Sequence, residues 1–164
     1  MHGLLFEVRT VDIELNLMTE SVEQAGPIKP LCVEPATPIR AVLLLLRERH
    51  RQSVMVCREG QLVGVFTERD ALRVMARNAD LSAPVESVMT PNPVTVRSGE
   101  KIGTAVQRMS TGGYRRLPIV DDAGQPVGLV HVSGIVHYLV EHFPKAIYNL
   151  PPVAYPVMQQ REGP

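Results

Sequence analysis

Thr67 and Asp70 stand three residues apart in the segment G-V-F-T-E-R-D, where alternating apolar residues give way to helical spacing. A hydroxyl and a carboxylate at that junction can close a helix on themselves. Thr67 would be the N-cap and Asp70 would reach back in a variant of the capping box, favoured by the positive end of the helix dipole. That reading accounts for the pair without a ligand. Catalytic patterns are missing around it: the chain has no G-x-S-x-G elbow, no H-E-x-x-H and no P-loop. His131, His137 and His142 are spaced six and five apart and do not share one helical face for a metal. Cys32 and Cys57 lie inside apolar strand-like runs and read as buried small residues of a reduced protein, not as a disulfide or metal ligands. The expectation is a protein that is not an enzyme and holds no metal.

The elements that must carry Thr67 and Asp70 occur twice. V-M-V-C-R-E-G-Q-L-V-G at residues 54–64 lies over P-I-V-D-D-A-G-Q-P-V-G at 118–128 without a gap, and L-C-V-E-P-A-T-P-I at 31–39 matches V-T-V-R-S-G-E-K-I at 94–102. Each copy reads β-α-β-β-α. Thr37 and Pro38 open the first helix as N-cap and N1, and Ile39, Val42, Leu43 and Leu46 follow at helical spacing. In the second copy Ser98 is the expected cap before Ile102, Ala105, Val106 and Met109, and Gly112-Gly113 ends the helix. Glu59-Gly60 and Ala123-Gly124 are hairpin turns. The expected class is α/β (α+β): two pseudo-symmetric repeats that pack together, because units of this size cannot each bury enough surface alone. The boundaries are an N-terminal extension at 1–28, repeat 1 at 29–80, repeat 2 at 81–143 and a proline-rich tail at 144–164.

Bulk composition narrows the partners. Lys+Arg and Asp+Glu are 17 each in 164 residues, and only 4% of residues are aromatic, which argues against an independent nucleic-acid surface. A local basic cluster can still take phosphate. The aliphatic run at residues 41–46 is far short of the roughly 20 residues a membrane helix needs. With no basic start followed by an apolar stretch, the expected location is the cytoplasm, with no membrane partner.

The pattern V-E-S-V-M-T-P-N-P-V-T-V, followed by R-R-L-P-I-V-D-D-A-G, together with G-V-F-T-E-R-D, resembles tandem CBS domains (the cystathionine β-synthase domain), two copies of which form a Bateman module. The resemblance covers residues 29–141 and implies a regulatory sensor of adenosine-containing ligands such as AMP, ADP or ATP, bound in the cleft between repeats. It further implies that Asp70 accepts from the ribose hydroxyls and Thr67 contacts phosphate. Adenine would lie near Cys32, Val33, Pro35 and the run from Val54 to Val56. Arg51 and the pair Arg115-Arg116, just before the central strands, stand where some members present cations to phosphate, and Arg69 is a further candidate. The second copy departs from the motif. His131 replaces the threonine and Gly134 the aspartate, so a second site there rests on His131 and on Ser133, the expected cap of that helix. The other reading is a dimerising scaffold with vestigial pockets and no physiological nucleotide.

The first helix is apolar nearly all round, with Ala41, Leu44 and Leu45 opposite its main stripe, which predicts burial on two sides and a homodimer. Val11, Ile13, Leu15 and Leu17 alternate as in a strand or packed extension, and N-L-P-P-V-A-Y-P-V-M-Q-Q cannot continue a helix. No feature names the protein that would be regulated.

Overall fold

The computed structural model describes residues 17–144. Repeat 1 contributes β1 (Cys32–Val33), α1 (Ile39–Glu48), β2 (Ser53–Arg58), β3 (Gln61–Thr67) and α2 (Glu68–Ala76). Repeat 2 contributes β5 (Val96–Arg97), α3 (Ile102–Gly112), β6 (Arg116–Val120), β7 (Pro126–His131) and α4 (Val132–His142). Between them β4 (Thr90–Pro91) joins the first sheet, giving the order β1-β2-β3-β4, while the second sheet runs β5-β6-β7. In both, the first pair is parallel and the central hairpin antiparallel. This is the expected mixed α/β pair of β-α-β-β-α units. The first hairpin turns through Glu59 and Gly60, both at positive φ (52° and 82°), as a two-residue loop of this hand requires.

The two repeats exchange their leading turns. The short 3-10 turn Val22–Ala25 ahead of repeat 1 buries Val22 and Ala25 in the second core with Ile102, Leu117 and Ile135. Its counterpart Val85–Ser87 buries Val85 in the first core with Ile39, Val54 and Phe66. The backbone repeats the exchange bond for bond. Val22 N–H donates to Glu100 O at 2.8 Å as Val85 N–H donates to Thr37 O at 2.8 Å, and Ser21 bridges Lys101 as Pro84 bridges Pro38. Glu23 fastens the first turn, accepting from Ser98 Oγ (2.8 Å), Gly99 N (2.9 Å) and Ser21 Oγ (2.5 Å). Burial alone would raise its pKa, but these bonds outweigh it and bring the carboxyl down to about 2.

That exchange corrects the expected caps. Pro38, not Thr37, is the N-cap of α1, and no side chain caps it, because the amides of Ile39 and Arg40 donate to Ala83 O and Leu81 O from the inter-repeat connection. Lys101, not Ser98, precedes α3; Ile102 N–H donates to Glu20 O, and the Ser98 hydroxyl is spent on Glu23. Gly113, at φ 67°, ends α3 as expected. Cys57 is buried as expected, but Cys32 is exposed, since β1 is a two-residue edge strand. Burial, with Cys32 adjoining, pushes the Cys57 thiol up to about 12, so it stays protonated. The alternation expected before residue 17 and the tail after 144 lie outside the described residues, and residues 17–19 are helical.

Candidate functional site

Thr67 and Asp70 form the reciprocal capping box of α2. Asp70 Oδ2 accepts from Thr67 N–H at 2.9 Å and Thr67 Oγ1 at 2.7 Å, and Thr67 Oγ1 accepts from Asp70 N–H at 3.4 Å. Arg73 Nη1 donates to Asp70 Oδ1 at 3.2 Å. Asp70 is only 4% exposed, so its carboxylate spends three of its acceptor positions inside its own helix. Asp70→Asn is therefore expected to lower stability by about 1–2 kcal/mol through the weakened cap, read as a lower denaturation midpoint. Asp70 itself does not line the cleft between the repeats, but its box adjoins that cleft through the Ser53–Thr67 pair and the bond from Glu68 N–H to Gln52 O at 3.1 Å, so a ligand there should lose no direct contact and only modest affinity. A large loss of binding with unchanged stability would return Asp70 to the ribose role that the family resemblance implies.

A cleft of about 590 Å³ opens between the repeats. One side is the chain entering β1 (Ile28, Lys29, Leu31) with the loop leading into β2 (His50, Arg51, Gln52). The other is Arg115 and Arg116 at the start of β6, with His131, Ser133 and Val136 from the end of β7 and α4. Its floor belongs to a small cluster that joins the two repeats, in which Met55, Cys57 and Leu129 are buried and Ile28 packs against them. The antiparallel bridge between Ile28 and Leu129 holds the two sides in register, with N–H to O distances of 3.0 Å in both directions. Arg51 Nη2 donates to Lys29 O at 3.4 Å, keeping that guanidinium over the mouth.

The cleft gathers Arg51, Arg115, Arg116, His131 and Ser133 from the residues expected in a site. Thr67, Asp70 and the exposed Arg69 are not among its lining residues, nor are Cys32, Val33, Pro35, Val54 or Val56. The reason for the last two is the pleat of β2. Val54 and Val56 point into the first core, fully buried, so the residue between them, Met55, takes the cleft side. Lys29 and His50 were not singled out from the sequence, because they lie in connections whose course is set by tertiary contacts; Met55 was named only within the run from Val54 to Val56, and the period of two along β2 was the signal that separates it from its neighbours.

His131 is the N-cap of α4, in place of the expected Ser133. Its Nδ1 accepts from Gly134 N–H at 3.2 Å and contacts the Ser133 hydroxyl. With Nδ1 accepting, the neutral ring carries its proton on Nε2 and presents a donor there. Gly134 sits where the leading turn of repeat 1 crosses α4: a Cβ on it would lie 2.5 Å from Ala25 O. Any side chain at the position of the missing carboxylate would thus meet backbone.

A family model described as the CBS domain matches residues 16–77 and again residues 85–141. The chain belongs to the CBS domain family. This CBS pair is 29% identical over 125 residues to an uncharacterized 17.7 kDa protein of Acidianus ambivalens, covering 76% of each chain. It is 31% identical over 121 residues to an uncharacterized protein of Methanocaldococcus jannaschii, covering 73% of this chain but only 29% of that one. Among solved structures, a CBS domain protein from Pyrobaculum aerophilum complexed with AMP superposes with a TM-score of 0.68 at 22% identity, over 74% of this chain and 97% of that one. A CBS domain pair in complex with 5′-methylthioadenosine and S-adenosyl-L-methionine gives 0.66 at 24% identity, over 72% and 98%. These likenesses show that the fold is that of CBS pairs. No helix among the described residues is long and apolar enough to cross a membrane.

Proposed function

We propose that this CBS pair is a regulatory module, not a catalyst, that binds an adenosine-containing ligand in the cleft between its repeats. The carrying observation is the cleft itself. Its volume of about 590 Å³ falls within the range of small-molecule sites, its floor of Ile28, Met55 and Leu129 is apolar enough for a base, and its rim of arginines suits phosphate. The ligands named for the two solved CBS proteins, AMP in one and 5′-methylthioadenosine with S-adenosyl-L-methionine in the other, support the adenosine class. The test is a calorimetric screen of AMP, ADP, ATP, NAD and S-adenosylmethionine against the whole chain. Saturable binding of at least one at micromolar to low millimolar concentration is the expected result, and silence from all five would favour a scaffold.

The scaffold reading has its own support in exposed apolar side chains on the helices: Leu44 on α1 is 43% exposed, and Leu72 and Met75 on α2 are 67% and 62% exposed. We propose a homodimer that covers Leu44. Leu45 packs against the first core, so only Leu44 probes the surface. Light scattering should give twice the chain mass for the wild type and a folded monomer for Leu44→Glu. A wild type that stays monomeric at high concentration contradicts this.

A further inference from the structure

We propose that the cleft selects its ligand by phosphate count, and that its ligand class is a nucleoside polyphosphate, in preference to a monophosphate or a sulfonium nucleoside. The inference rests on the adenosine reading above and narrows it.

Four permanent cations, Lys29, Arg51, Arg115 and Arg116, line the cleft with His50 and His131, and no aspartate or glutamate lines it. This concentration occurs in a chain whose net charge is zero. Four arginines elsewhere have acidic partners, Arg58 with Glu86, Arg73 with Asp70, Arg97 with Asp122 and Arg108 with Glu100, while Arg40, Arg47, Arg49, Arg69 and Arg77, with no ion pair among the described residues, are scattered and do not line this cleft. Among the described residues no carboxylate lies within ion-pair distance of any of the four cleft cations. Like charges left unneutralised across one cavity repel each other, and the ligand that relieves them best carries several negative charges.

The means of gripping a neutral part of the ligand are reduced to match. A carboxylate that would accept from a ribose diol is absent from the α4 side, and the 2.5 Å approach of Ala25 O to a Cβ at Gly134 leaves no room for one. His131, with Nδ1 accepting from Gly134 N–H, offers a donor at Nε2, a group for anions and not for hydroxyl protons. The sulfonium of S-adenosylmethionine would meet like charge on this rim, and its single carboxylate offers the cations less negative charge than a phosphate chain does. Gln52, Ser53 and Ser133 remain as neutral acceptors for a ribose shared by all adenosine ligands, so the phosphates supply the discrimination among them, while Ile28, Leu31 and Met55 hold the base.

The test is titration calorimetry of the whole chain with the sodium salts of AMP, ADP, ATP and inorganic triphosphate, and with S-adenosylmethionine, each at low and at raised sodium chloride. ATP should bind at least about tenfold more tightly than AMP at low salt, with ADP between, and the gap should narrow as salt screens the rim. S-Adenosylmethionine should be the weakest adenosine ligand. AMP or S-adenosylmethionine binding as tightly as ATP overturns the inference and leaves the adenosine module intact. Inorganic triphosphate matching ATP overturns both the adenosine reading and the nucleoside part of the inference, leaving only selection by charge. Binding by none of the five overturns both.

Discussion

Gly134→Asp, which would restore to repeat 2 the residue type found at position 70, is expected to destabilise the protein instead of creating a second carboxylate site. The new Cβ would stand 2.5 Å from Ala25 O, a backbone atom of the turn buried in the second core. That turn is held by the bond from Val22 N–H to Glu100 O and by Glu23, so it cannot yield freely. Overpacking of this kind costs about 1–3 kcal/mol, and a charge set against a carbonyl oxygen adds to it. For a chain of this size a loss of about 2–3 kcal/mol lowers the thermal midpoint by about 5–10 °C. Gly134→Ala separates the causes: most of the loss should already appear with the methyl group. A Gly134→Ala variant as stable as the wild type would mean that the leading turn does not lie against α4.

Removing both arginines at the start of β6 should have the largest effect on binding. Charge-assisted hydrogen bonds to phosphate contribute about 1.5–3 kcal/mol each, so Arg115→Ala with Arg116→Ala should weaken an adenosine polyphosphate by roughly a hundredfold or more. Stability should move by less than about 1 kcal/mol, because Arg115 is exposed and Arg116 half-buried at the strand end. Arg47→Ala, an exposed arginine on α1, is the control and should bind as the wild type does. Equal affinity in the double variant and the wild type would remove the rim from the site.

Much of the architecture was readable because it is local and written twice. The match of residues 54–64 to 118–128 carries both hairpins, and Glu59-Gly60 and Gly113 stand where left-handed backbone was needed. The capping box of α2 was legible for the same reason, being closed within four residues. What escaped is non-local. Thr37 and Ser98 are good N-cap residues by type, yet carbonyls from the opposite leading turn or the connection satisfy those helix ends. Nothing near Ile39 in the sequence announces Ala83. The leading turn of repeat 1 was assigned to an extension, although Val22-Glu23 echoes Val85-Glu86, because one matched pair of residues is a weak signal. For the cleft, the family resemblance had pointed to Arg51, Arg115 and Arg116 just before the central strands, and all three line it. Thr67 and Asp70 were drawn to the same site by resemblance, whereas the structure accounts for their bonds within α2.

The most direct test of ligand binding between the repeats is an amide chemical-shift titration of the isotopically labelled chain with ATP. Saturable shifts should concentrate on both walls of the cleft, at Gln52 and Ser53 in repeat 1 and at Arg116, His131 and Ser133 in repeat 2, with smaller changes at Leu129 in the floor. Shifts confined to repeat 1 around Asp70, with none at Arg116, His131 or Ser133, or no shifts at millimolar ATP, would contradict the account.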